Sequence, residues 1–281
     1  LHSVPTGQGS CKKAIASRRG EAYVMETLPE TGAEYTVKVT ILKDRVTLTV
    51  DTSGSGLHKR GYRVKTVAAP IKETLAAAMV QLSFWNKDRV LLDPCCGSGT
   101  IAIEAAMIGR NIAPGLSRSF ACEEWEAIDK KLWKEEKKRA YDLMDDEAKL
   151  DIVAIDIDKM AIEAAKENAI EAGVDDCIRF INADMARIKA SKPSGIIITN
   201  PPYGERIGEQ KQIAAIYSKY KKFFAENPSW SMFMVTTDKD IEETVFGRKA
   251  DRRRKLYNGR LEVCYYQFHG KKLGDNGKAK Q

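Results

Sequence analysis

The sequence predicts an α/β protein: a doubly wound, mostly parallel sheet of the nucleotide-binding type, preceded by a smaller α/β module. Three observations carry this expectation. Arg89-Val-Leu-Leu-Asp93 is a short apolar run that passes directly into Pro94-Cys-Cys-Gly-Ser-Gly-Thr100 and then into a helical pattern, the strand, glycine-rich turn and helix that open such sheets. Further short apolar runs follow at 151–156 and 178–183, with a helical pattern between them. Finally, Gly195-Ile-Ile-Ile-Thr-Asn-Pro-Pro-Tyr-Gly204 reads as a strand buried on both faces, stopped where two prolines forbid further ladder pairing.

Composition bounds the functional classes. The 281 residues allow one large domain or two modest ones, at 43% hydrophobic and 30% charged. No apolar run is long enough to span a membrane. The first residue is Leu1 and no signal-peptide pattern follows, so the N-terminus reads as cut from a longer chain. Six cysteines occur without a C-x-x-C pair, and three histidines are scattered. Reduced thiols in the cytoplasm and no metal site are therefore expected. A net charge of +7 fits a polyanionic partner, and no apolar stripe stands out to predict more than a monomer.

Taken in order, Ser10 to Arg19 is predicted as a short basic helix with Ser10 as N-cap and Gly20 past its end. Tyr35, Val37, Val39 and Ile41 alternate with polar residues, as do Val46, Leu48 and Val50 after Lys43-Asp44, which predicts a hairpin. One helix and two strands make a poor independent core, so residues 1–51 read as the back half of a small module. Residues 52–66 read as a basic linker: a Gly/Ser joint, then His58-Lys-Arg-Gly-Tyr-Arg63. His58, Lys59, Arg60, Tyr62 and Arg63 combine cations with one aromatic ring, a pattern suited to RNA phosphates and a stacked base, or simply to a solvated linker. Pro70 is placed at N1 of a helix carrying Ile71, Leu75, Ala78, Met79 and Leu82 on one face.

The alternation pauses over an insertion at 110–150. There Glu123 to Met144 is predicted as one long charged helix with Trp125, Ile128, Leu132 and Trp133 inward. Asp158 is expected to cap a helix from Lys159 to Ala172 that Gly173 ends. A helix from Ile213 to Glu226, a strand from Ser231 to Thr236 and a short helix from Asp240 to Phe246 follow. Residues 256–268 then form a hairpin with Asn258-Gly259 as a type I′ turn. Arg252, Arg253 and Arg254, just before it, are a second candidate RNA contact, or an exposed basic run. Residues 271–281 are expected to be a disordered tail.

The candidate site lies at the carboxyl ends of the strands. Gly97-x-Gly99-x-x-Ala102 would pass for a dinucleotide loop, but Asp93 faces it. A carboxylate there repels a pyrophosphate and attracts the ammonium of a methionine moiety, so the loop fits S-adenosylmethionine better than NAD. Asp93, Cys95, Gly97, Gly99 and Thr100 are assigned to that cofactor. So are Asp156 (for the ribose), Asp184 (for the adenine amine), Ile157, Met185 and Asn200. Asn200, Pro201 and Tyr203 are the candidate catalytic residues: a carboxamide oxygen and a main-chain oxygen to accept from an exocyclic amine, and a ring to stack on its heterocycle. The same turn would serve guanine N2, adenine N6, cytosine N4 or a glutamine amide.

Asp93-Pro-Cys-Cys-Gly-Ser-Gly-Thr, Asp156, Asp184, Asn200-Pro-Pro-Tyr-Gly and the closing hairpin resemble the Rossmann-like amino-methyltransferases. Leu57-His-Lys-Arg-Gly-Tyr-Arg, Ala69-Pro-Ile-Lys-Glu-Thr-Leu and Asn111-Ile-Ala-Pro-Gly narrow the similarity to THUMP-domain RNA methyltransferases, nearest the bacterial guanine-N2 enzymes of 23S ribosomal RNA. The resemblance implies a methyltransferase domain at 67–270 with a seven-stranded sheet in order 3-2-1-4-5-7-6, the C-terminal part of a THUMP domain at 1–51, and ribosomal RNA as partner. The alternatives are an N6-adenine DNA methyltransferase and a non-catalytic RNA-binding assembly factor.

Overall fold

The computed structural model describes residues 4–23, 32–67, 70–203 and 210–273. The chain divides into two compact units, residues 1–52 with 121–128 and residues 53–120 with 129–281. No helix among the described residues is long and apolar enough to cross a membrane, and the six cysteines are free.

In the first unit, helix α1 (Val4–Tyr23) is longer than its capping signals predict. Strands β1 (Thr36–Leu42) and β2 (Arg45–Asp51) pair antiparallel. Lys43 and Asp44 both have positive φ, 49° and 59°, the signature of a type I′ hairpin. The alternation puts Val37 opposite Val50, Val39 opposite Leu48 and Ile41 opposite Val46. Residues 121–128 belong here and correct the predicted long helix. Trp125 is buried, its ring stacks on Tyr35 at 4.7 Å, and its Nε1–H donates to the Glu34 carbonyl at 3.0 Å. A tryptophan anchored this way cannot also sit on the charged helix.

In the second unit the elements run α2 (Glu73–Gln81), β3 (Leu91–Asp93), α3 (Thr100–Gly109), α4 (Lys130–Asp142), β4 (Ile152–Asp156), α5 (Lys159–Glu171), β5 (Ile178–Asn182), β6 (Ile196–Thr199), α6 (Gln210–Glu226), β7 (Ser231–Thr236), β8 (Arg252–Asn258) and β9 (Leu261–Phe268). α4 starts after its own N-cap, Asp129, which accepts from the Lys131 N–H at 2.8 Å. Leu132 on this helix is 54% exposed, not inward. α2 begins three residues after Pro70, with Lys72 extended at its N-cap. Asp158 caps α5 as expected, accepting from Met160 at 2.8 Å, and Gly173 ends it at φ 69°. The segment expected as a short helix after Asp240 is a single turn of π-helix, Glu242–Phe246.

The sheet runs β5-β4-β3-β6-β7-β9-β8, parallel as far as β7 and antiparallel beyond it. Counted within this unit, that is the order 3-2-1-4-5-7-6. One core lies on the face toward α2, α3 and α5, built on Met79, Ile103, Ile152, Ile196 and Tyr265. The other packs α6 on Ile197, Met232, Met234 and Phe268.

The closing hairpin is shifted by one residue from the predicted register. Asn258 pairs with Leu261, so Gly259 and Arg260 are the turn, and Gly259 is at φ 68°. Glycine at the first turn position with a following residue at negative φ fits a II′ turn, not the Asn-Gly I′ form. The first arm is also longer than predicted: Arg252, Arg253 and Arg254 pair with Gln267, Tyr266 and Tyr265 in the edge strand β8, where charge discourages pairing with other chains. Residues 274–281, most of the predicted tail, lie outside the described residues.

Candidate active site

β3 and β6 are neighbouring parallel strands, so Asp93 and the Asn200 turn stand at adjacent tips. After β3 the chain turns through two glycines at positive φ, Gly97 at 52° and Gly99 at 82°. At Gly99, which caps α3, a Cβ would come within 2.9 Å of the Ala165 Cβ on α5. Glycine is therefore required there both for backbone conformation and for space. The Cys96 N–H donates to the Ile155 carbonyl at 2.9 Å, and the Gly97 N–H to Asp156 Oδ2 at 2.9 Å. The loop is thus fastened to the tip of β4.

Asp93 is fully buried; its Oδ1 receives the Cys95 N–H at 3.4 Å, and its Oδ2 has no hydrogen-bond partner among the described residues. Thr199 faces it without reaching hydrogen-bond geometry. Burial pushes the Asp93 carboxyl up to about 8, with the Cys95 amide opposing and the nearby Asp156 reinforcing. A buried carboxyl oxygen left unpartnered at a strand tip asks for a cationic or donor group. The chemistry of the loop therefore fits an ammonium-bearing ligand.

The other assigned residues are placed unevenly. Asp156 accepts from Gly97 on one oxygen and from the Asp158 N–H at 3.0 Å on the other. Each oxygen keeps a second lone pair. Ile157 beside it is 72% exposed, a large apolar side chain at the carboxyl edge. Asp184 receives Lys219 Nζ on both oxygens at 2.7 Å and the Ala186 N–H at 2.8 Å. The lysine holds its carboxyl below the usual range. Asp184 is therefore already the partner of α6, which the sequence did not indicate, while Met185 opens the 3-10 turn that Asp184 caps. Burial pushes the Cys95 thiol up to about 12; it stays neutral, 3.7 Å from the Tyr220 hydroxyl. That hydroxyl also meets Thr199 Oγ1 at 3.0 Å, joining α6 to the tips of β3 and β6. In the turn after β6, Pro201 is buried and Asn200 half-buried. The Tyr203 hydroxyl donates to Asn200 Oδ1, which fixes the carboxamide and leaves its second lone pair open.

The basic segment 58–63 requires correction. Arg60, Tyr62 and Arg63 are not presented to solvent as RNA contacts. Arg60 makes two hydrogen bonds to the buried Glu104 carboxylate at 3.2 and 3.1 Å, and the Tyr62 hydroxyl adds a third at 2.9 Å. Arg63 donates to Glu73 at 2.7 Å, the Ile71 carbonyl at 2.8 Å, Thr100 Oγ1 at 3.0 Å and Ser98 Oγ at 3.4 Å. Thr100 is buried and its hydroxyl oxygen accepts from Arg63, which ties the start of α3 to this segment. Asn168 completes the clamp from α5, accepting from the Val64 and Lys65 N–H groups and donating to the Lys65 and Ser98 carbonyls. The segment is a strap against the glycine loop. Its one sequence signal was an asparagine among the alanines of α5's buried face. Glu104→Ala, which strands the Arg60 guanidinium, is expected to lower unfolding stability by about 3–5 kcal/mol. Urea unfolding checks this, and a loss under 1 kcal/mol would show the strap to be superficial. Of the remaining candidates, Lys59 is exposed and His58 half-buried, and Arg253 is committed to Glu242. Among the described residues no group of three or more His, Cys, Asp or Glu is arranged to hold a metal.

Residues 60–267 match the model of the RMKL-like methyltransferase domain. The chain belongs to that family. YpsC of Bacillus subtilis (strain 168), provisionally designated an RNA methyltransferase, is 47% identical over 96% of this chain and 71% of its own length. The ribosomal RNA large subunit methyltransferase K/L of Shewanella baltica (strain OS155 / ATCC BAA-1091) is 37% identical over 96% of this chain, which spans only 39% of that protein. Among solved structures, SMU.472, provisionally a methyltransferase and complexed with SAH, superposes with a TM-score of 0.91 at 43% identity, covering 97% of this chain and 72% of that one. A chain from Listeria monocytogenes str. 4b F2365, described as a predicted N6-adenine-specific DNA methylase, gives 0.90 at 45% identity, covering 96% and 70%. The RMKL-like match begins at residue 60, so it takes in Arg60, Tyr62 and Arg63 of the strap.

Proposed function

We propose that this chain transfers a methyl group from S-adenosylmethionine to the exocyclic N2 of guanine in 23S ribosomal RNA. The observation that carries the reading is the buried, unpartnered Asp93 oxygen at one strand tip with the Asn200-Pro-Pro-Tyr turn at the next. When bound, S-adenosylmethionine supplies an electrophilic methyl on a sulfonium. Asp93 would hold its ammonium, Asp156 its ribose, the backbone around Gly97 and Gly99 its methionine portion, and Ile157 and Met185 its base. SAH in a 43% identical structure supports the donor, and the K/L and YpsC relatives support RNA as acceptor. We read residues 1–51 as the C-terminal part of a THUMP RNA-binding domain, and expect a cytoplasmic monomer.

The exocyclic amine is a weak nucleophile because its lone pair is delocalised into the ring. Asn200 Oδ1 and the Pro201 carbonyl accept its two hydrogens, favouring a tetrahedral nitrogen and the positive charge that develops on it. Tyr203 stacks on the extruded base through its ring and orients Asn200 through its hydroxyl. Tyr203→Phe, which keeps the ring, is expected to lower kcat about fivefold, the rate equivalent of the roughly 1 kcal/mol of a neutral hydrogen bond. Its KM for S-adenosylmethionine should stay put. Wild-type kcat would remove the hydroxyl's orienting role.

The test of the whole reading is tritiated methyl transfer to unmodified ribosomal RNA followed by nucleoside analysis. N2-methylguanosine supports it and methyladenosine supports an adenine enzyme, the reading that the Listeria description favours. Donor binding without transfer to RNA or DNA would leave an RNA-binding assembly factor.

A further inference from the structure

The second face of the sheet is closed unevenly. α6 and the π-helical turn cover β6, β7 and β9 through Tyr217, Phe223 and Val245. The connection from β5 to β6, residues 183–195, holds only the 3-10 turn Met185–Arg187. A parallel crossover usually carries a full helix there. In its place lies a cavity of about 180 Å³ with Leu92, Val153, Ile155 and Ile181 as an apolar floor. Pockets for drug-sized ligands start at roughly 300 Å³, so the space suits one ring rather than a second cofactor.

The cavity's rim is cationic. Arg179, Arg187 and Lys189 line it and are exposed. Apart from the pull of the Arg187 charge on the Asp184 carboxylate, none of their side chains makes a hydrogen bond or close ion pair among the described residues. Neighbouring lysines do: Lys192 pairs with Asp151 at 3.0 Å and Lys219 with Asp184 at 2.7 Å. An apolar slot ringed by exposed cations that no carboxylate neutralises at contact distance is complementary to an anion carrying a flat apolar body. An unpaired nucleotide in a single-stranded stretch meets that description, its base against the floor and its phosphates on the rim.

We propose that this groove holds a nucleotide of the RNA substrate outside the reacting base, with Arg179, Arg187 and Lys189 on the flanking phosphates. The inference rests on the RNA reading above and adds to it a surface on the β5 side of the sheet.

The test compares the chain with its Arg179→Ala/Arg187→Ala/Lys189→Ala variant, whose three sites are exposed. The probe is an unmodified 23S ribosomal RNA fragment transcribed in vitro. At 150 mM salt the variant should bind the fragment at least tenfold more weakly. The slope of log affinity against log salt should shrink by about 2, at about 0.7 per lost single-strand phosphate contact. Calorimetric affinity for S-adenosylmethionine should be unchanged, and 4-thiouridine-substituted RNA should crosslink within residues 179–191. Undiminished RNA affinity and slope in the variant, with the wild type binding and methylating RNA, overturn the groove alone. So does a sedimentation shift with RNA binding retained, since the groove then joins two copies. A wild type that neither binds nor methylates RNA overturns the RNA reading and this inference with it.

Discussion

Asn200→Ala is expected to lower kcat by about 10²–10³, while S-adenosylmethionine binds as before. A preorganised oxygen or donor aimed at developing charge contributes roughly 2.7–4 kcal/mol to the transition state, and little to ground-state affinity. Asn200 is suited to that role because its amide is oriented before any substrate arrives: the Tyr203 hydroxyl donates to Oδ1. The side chain follows a strand buried on both faces, and Pro201 behind it is buried too. Little can relax to replace the lost oxygen. Single-turnover transfer with calorimetry on the same preparation separates the cases. A variant that loses donor affinity in step with kcat would move Asn200 from the amine to the cofactor.

What the sequence disclosed about this turn, and what it hid, follow from the range of the interactions involved. Strand tips are local facts: an apolar run, a carboxylate, a glycine or two prolines sit within eight residues of each other. Asp93, Asp156, Asp184 and Asn200 could be placed on four tips without knowing any contact. The occupation of those side chains is not local. Lys219 reaches Asp184 across 35 residues and Arg60 reaches Glu104 across 44. From composition alone a cation interleaved with an aromatic looks the same whether it faces phosphate or a buried carboxylate. Neither sequence reading of the strap, RNA contact or solvated linker, therefore reaches its buried carboxylate partners.

The hairpin shows the same limit in another form. Asn258-Gly259 is a strong short-range turn signal, but the register is set by which residues of β9 face the core. Val263 and Tyr265 are buried on one face of β9 and Tyr266 and Phe268 on the other, and its pairing with β7 holds that strand independently of the local turn signal. The long helix predicted over 123–144 failed because Trp125 found a partner in Tyr35, 90 residues earlier in the chain. Periodicity cannot reveal a partner that far away.

Donor binding should release a proton below pH 8, and its affinity should fall about tenfold per pH unit under pH 7. The Asp93 carboxyl, pushed by burial up to about 8, is mostly protonated at neutral pH, yet an ammonium requires the carboxylate. Binding is then limited by the ionised fraction, which rises tenfold per unit below the pKa. Above about pH 8 the ligand's own amino group, with an α-amine pKa near 7.7–8.0, loses its charge, so affinity peaks there. The stability sign runs the other way. Between the usual carboxylate range and about 8 the folded protein binds a proton at Asp93 that the unfolded chain does not, so this group's contribution weakens as pH rises through that window. Asp184, held low by Lys219, instead stabilises the fold at neutral pH and loses that contribution as pH falls through its depressed pKa. Asp93→Asn removes the first effect and leaves the second. It should bind S-adenosylmethionine at least a hundredfold more weakly, with no proton release in calorimetry run in buffers of contrasting ionisation enthalpy. Its unfolding free energy should decline less from pH 5 to 8 than that of the wild type. A wild-type affinity flat from pH 6 to 8 would place the ammonium elsewhere and leave the Asp93 oxygen without its partner.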